Sequence, residues 1–83
     1  MMIRDPWQEI YEKERIYRLH VDELIINALA LTEEPLGPSE LVEAVCNAAG
    51  PDEWIRAVTI KIQMFCLIDD GRIKMNDFWQ VHL

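Results

Sequence analysis

Leu36-Gly37-Pro38-Ser39-Glu40-Leu41-Val42-Glu43-Ala44-Val45, followed by Gly50-Pro51-Asp52 and later by Leu67-Ile68-Asp69-Asp70-Gly71, is the stretch that decides the fold. Pro38 has a fixed φ and no N–H, so it suits the first position of a helix. Gly37 stands at the cap, and Glu40 at the third helical position can reach back to the cap amide. Leu41, Val42, Val45 and Ala48 or Ala49 make the apolar face. Gly50 suits the left-handed residue that ends a helix, and Pro51 prevents its continuation. Asp52 is then the expected cap of a third helix. Asp69-Asp70-Gly71 signals a turn.

The segment between Asp52 and Ile68 admits two patterns. Val58, Ile60, Ile62 and Met64 alternate with Thr59, Lys61 and Gln63, as in a strand. Ile55, Val58, Ile62, Phe65 and Cys66 equally share one face of a helix. The helix is favoured, because only a helix gives Gly50-Pro51-Asp52 its ordinary role between two helices. Arg72–Met75 and Phe78–Leu83 then read as two strands joined by Asn76-Asp77, a tight-hairpin pair. Trp79, Val81 and Leu83 alternate onto the core-facing side of the last strand.

Upstream, Asp5 is a capping residue, Pro6 fits the first helical position, and Gln8 sits where a capping-box partner would. Apolar residues recur at Trp7, Ile10, Tyr17, Val21, Leu24, Ala28 and Leu31. This is one helix over residues 6–31, or two that break near residues 20–22. Glu9–Lys13 and Glu14–Arg18 have the spacing of favourable helical ion pairs. Thr32-Glu33-Glu34-Pro35 ends the segment, since Pro35 disfavours helix at Glu34. A three-helix core needs only the second half. The first half then carries an apolar stripe of Trp7, Ile10 and Tyr17 that requires a partner surface.

Size and charge bound the rest. Eighty-three residues make one small domain, and domains this small often gain stability by oligomerising. A hydrophobic content of 51% is too high for a disordered chain. The net charge of −7 repels phosphate backbones and disfavours non-specific nucleic-acid binding. The apolar run Leu24–Leu31 is too short to span a bilayer, and no signal-peptide pattern follows Met1. No membrane association is expected, and a cytoplasmic location is. Cys46 and Cys66 lack metal-ligand spacing and read as reduced core thiols. His20 and His82 have no neighbouring ligand at metal spacing. Ser39, the only serine, has no adjacent base. No catalytic, cofactor-binding or metal residue is expected, and the chain does not read as an enzyme.

The order helix, Glu34-Pro35-Leu36-Gly37-Pro38-Ser39-Glu40-Leu41, helix, turn, helix, Leu67-Ile68-Asp69, hairpin resembles the winged helix-turn-helix superfamily over about residues 21–83. The resemblance implies a mainly α fold with a small β-hairpin. It divides the chain into an N-terminal helical extension, 1–20, and a winged-helix-like domain, 21–83. DNA-binding members of that superfamily place the third helix in the major groove and the hairpin against the backbone. Carried over by helical spacing, Glu53, Ala57, Ile60 and Met64 would face the groove, flanked by Arg56 and Lys61. Base readout needs polar side chains there, and these are mostly apolar or acidic.

The third helix is therefore expected to be apolar on both faces, with Ile60 and Met64 outward. That outer face would be covered by the N-terminal segment, by a second copy or by another protein. The expected function is non-catalytic protein binding through Trp7, Ile10, Tyr17, Trp54, Ile60 and Met64. Acidic patches would steer the chain toward a basic partner, as in an accessory or phage-type inhibitor of a nucleic-acid-binding protein. The alternative is a homodimeric transcription regulator with Arg56, Lys61, Arg72 and Lys74 on phosphate, and Gln63 or Thr59 near bases.

Overall fold

The computed structural model describes residues 5–83; residues 1–4, the start of the expected extension, lie outside them. Helix α1 (Pro6–Ala30) is followed by α2 (Pro38–Ala49), α3 (Ala57–Asp69), β1 (Lys74–Met75) and β2 (Val81–His82). The protein is thus mainly helical with a small antiparallel hairpin, a layout compatible with a winged-helix-like one.

Helix α1 is continuous through residues 20–22. Asp5 caps it, its side chain accepting from the Trp7 amide at 3.0 Å. The second half supplies Val21, Ile25, Ala28 and Leu29 to the core. Ile25 and Leu29 are buried in preference to Leu24 and Leu31, which follow Ile10 and Tyr17 at intervals of seven. Leu24 is only partly buried, and Leu31, the C-cap, is exposed. Over 25 residues a straight helix follows its 3.6-residue period, so a seven-residue stripe drifts off the core.

Helix α2 begins and ends as the sequence indicates. The Gly37 amide donates to the Glu40 carboxylate at 3.4 Å, and Gly50 adopts a φ of 86°. Leu41 and Val45 are buried against α1 and α3. Helix α3 starts at Ala57, with Arg56 rather than Asp52 at its cap and no side-chain capping bond. Gly71, at a φ of 76°, ends it, and the Leu67 carbonyl accepts from the Arg72 amide at 3.0 Å.

The hairpin pairs Lys74 with His82 and Met75 with Val81. Val81 also exchanges two backbone bonds with Leu36, at 3.0 and 2.7 Å, which ties the hairpin to the α1–α2 connection. The tip is longer than the two-residue turn read from Asn76-Asp77. Asn76 Oδ1 accepts from the amides of Phe78 and Gln80 at 2.9 and 3.0 Å, organising a loop over residues 76–80. Trp79 sits in that loop with a φ of 61° and is exposed, so it does not face the core as its alternation suggested.

Ile55, Ile60, Met64, Leu67, Ile73 and Val81 complete the single core. No helix among the described residues is long and apolar enough to cross a membrane.

Candidate protein-interaction surface

Helix α3 carries apolar residues all round, so its phase is set by contacts with α1. Gln63 Nε2 donates to Asp22 Oδ1 at 2.8 Å, and both side chains are buried. A buried amide and carboxylate left unbonded would each carry a desolvation cost, so this pair fixes which side of α3 turns inward. Thr59, Ile60, Met64 and Leu67 turn inward with Gln63.

The expected outward placement of Ile60 and Met64 is therefore reversed: they are 0% and 1% exposed, in the core rather than on an interface. The residues assigned to the core instead face out. Val58, Ile62 and Phe65 are 61%, 44% and 54% exposed, with Lys61 beside them. Sequence reasoning missed these three as surface residues, and only their long-range neighbours distinguish them from the core set. Cys46 and Cys66 are free and exposed, not core thiols.

The loop over residues 50–56 is pinned to α1 from both sides of Trp54. His20 Nε2 meets Glu53 Oε1 at 2.5 Å. The Arg56 amide donates to the Tyr17 hydroxyl at 2.9 Å. The Arg56 guanidinium donates to both Glu14 carboxylate oxygens, at 2.9 and 3.2 Å, and lies 4.8 Å from the Tyr17 ring centroid. Tyr17 first, and Glu14 second, raise the Arg56 pKa above its ordinary value. Arg56 is thereby held within the protein, and the phosphate contact considered for it would compete with these partners. Tyr17 is half-buried beneath it, not a free contact. Trp54, anchored on both flanks, is 80% exposed and shares a shallow groove with Ile10 and Tyr17.

The remaining expected residues fall as follows. Trp7 and Ile10 are exposed on the first half of α1. Lys61 lies on the outward face of α3, and Arg72 and Lys74 are exposed at the base of the hairpin. Among the described residues no three His, Cys, Asp or Glu side chains are grouped as metal ligands. Exposed apolar side chains thus lie on the outward face of α3 and on the first half of α1 with Trp54, and also at the end of α1 and along the hairpin, at Leu31, Phe78, Trp79 and Leu83. Surfaces of this kind bury apolar area on contact with a partner, and the handle for chemistry they offer is binding.

No protein-family model, curated protein or solved structure matches the chain.

Proposed function

We propose that this chain is a non-catalytic, winged-helix-like protein-binding module that engages its partner through the outward face of α3. The observation that carries the proposal is the exposure of Val58, Ile62 and Phe65 on that face. In a DNA-reading winged helix these positions would need donors and acceptors that match base edges. Here they offer branched and aromatic carbons, which gain free energy by leaving water, about 25 cal/mol for each Å² buried. The Leu36–Val81 bridge supports the winged-helix assignment, since it joins the hairpin to the segment between the first two helices.

The partner class follows from charge. The hairpin and the end of α3 carry Asp69, Asp70 and Asp77, and the chain as a whole is at −7. An acidic surface speeds encounter with a basic protein and repels competing anions. A nucleic-acid-binding protein whose basic site this chain covers has the matching chemistry.

The test is a fluorescence-anisotropy titration with random duplex DNA at low salt, repeated at higher salt. The proposal expects no binding into the tens of micromolar. Binding that falls steeply with salt would mean real phosphate contacts. It would transfer the assignment to a DNA-binding regulator using Lys61, Arg72 and Lys74.

A further inference from the structure

Helix α1 is twice as long as the helices that cover it: 25 residues against 12 in α2 and 13 in α3. At about 1.5 Å per residue the difference is roughly 18 Å of helix. The buried residues of α1 all lie at or beyond Val21, so the length that extends past the core is the first half, residues 6–19, which Glu14 and Tyr17 tie to Arg56. Trp7 is exposed at the start of this length. Ile10 and Tyr11 flank it, and Trp54 closes the groove beside Ile10.

These four side chains are each 55–80% exposed. At roughly 200 Å² per large side chain they present on the order of 500 Å² of apolar surface. One side of a standard protein interface covers about 800 Å², a little over half of it apolar. The stripe is the size of one such half-interface.

Charge selects the occupant. Residues 6–19 hold Glu9, Glu12 and Glu14 against Lys13, Arg15 and Arg18, and are neutral. Residues 20–83 hold eleven carboxylates against four Lys and Arg, and carry the whole charge of −7. Like-charged surfaces cost free energy when juxtaposed. Two copies of this chain can meet without that cost along the first half of α1, whereas the domain body repels its own copy. The mixed charges of that half also provide both signs for an isologous contact, in which each surface faces itself.

We propose that the first half of α1 is a homodimer seam, centred on Trp7, Ile10 and Tyr11 and completed by Trp54. The seam leaves Val58, Ile62 and Phe65 of each copy open, so the dimer presents the α3 face twice. It draws on the charge and length of α1, and stands or falls separately from the role proposed for α3.

Sedimentation equilibrium of the full chain from 5 to 100 µM tests it, with far-UV circular dichroism confirming that each variant is folded. The wild type is expected at twice its monomer mass of 9.8 kDa. Ile10→Glu is expected to raise the dimer dissociation constant at least tenfold. Lys13→Glu with Arg15→Glu, which makes the seam negative, is expected to dissociate the dimer at low salt and less so at high salt. Phe65→Glu is expected to leave the mass unchanged. A wild type that stays monomeric at 100 µM overturns the proposal. So does a dimer that survives Ile10→Glu and is lost in Phe65→Glu, a result that would move the seam to α3.

Discussion

On α3 the inward side chains Thr59, Ile60, Gln63, Met64 and Leu67 are buried, while Val58, Ile62 and Phe65 stand in solvent on the opposite side. Both sets are largely apolar: the exposed one also holds Lys61, and the buried one includes a threonine and a glutamine. Hydrophobicity alone does not decide between the two faces. What turns it as observed is a polar contact, Gln63 to Asp22, together with the loop contacts that position its first turn. The inward face is thus specified by satisfaction of polar groups, and the outward face is left apolar where folding does not require it. Apolar side chains that folding does not use are the ones available for a partner.

The difference between the faces can be broken most severely from inside. Ile60→Asp with Met64→Asp places two carboxylates in the core, and we expect no folded protein by circular dichroism. Outward positions for Ile60 and Met64 would instead leave that double variant folded. Met64→Ala is the milder form and should cost about 2–5 kcal/mol in urea denaturation.

Gln63→Leu sharpens the polar half of the comparison. It leaves the buried Asp22 carboxylate without its amide donor and should cost about 1–3 kcal/mol. Asp22→Leu combined with Gln63→Leu should recover much of that loss, because two apolar groups leave nothing unsatisfied. A double variant as unstable as the sum of the singles would show that the pair does not fix the helix.

Arg56→Ala removes a half-exposed ion pair and a cation–π contact at the start of α3. It should lower the urea midpoint slightly in the same denaturation measurement. Smallest of all, Ile62→Asp with Phe65→Asp should shift stability by less than about 1 kcal/mol, since exposed positions tolerate substitution.

Much of the architecture was legible because it is written locally. Asp5-Pro6, Gly37-Pro38 with Glu40, Gly50-Pro51 and Gly71 each punctuate a helix through their own backbone chemistry, and each does so in the structure. The site was less legible. Trp7, Ile10 and Trp54 are exposed, whereas Ile60 and Met64, read as their partners in one surface, are buried. The phase of α3 was not readable, because apolar residues at 58, 60, 62, 64, 65 and 67 fit two faces of one helix. The start of α3 was misplaced for a related reason. Asp52 has the chemistry of a cap, but Glu53 and Arg56 are held by His20, Tyr17 and Glu14, residues 33 to 42 positions away in sequence. The hairpin tip departed from a two-residue turn because the Asn76 side chain bonds two amides ahead of it.

Hydroxyl-radical footprinting of the purified chain, read at the adjacent residues Met64 and Phe65, tests the assignment of the two faces most directly. Methionine oxidises readily wherever it is accessible. Met64 is 1% exposed and Phe65 is 54% exposed. Modification of Phe65 with Met64 silent is the predicted result. Oxidised Met64 beside a protected Phe65 would contradict it, and would return Ile60 and Met64 to the outside of the protein.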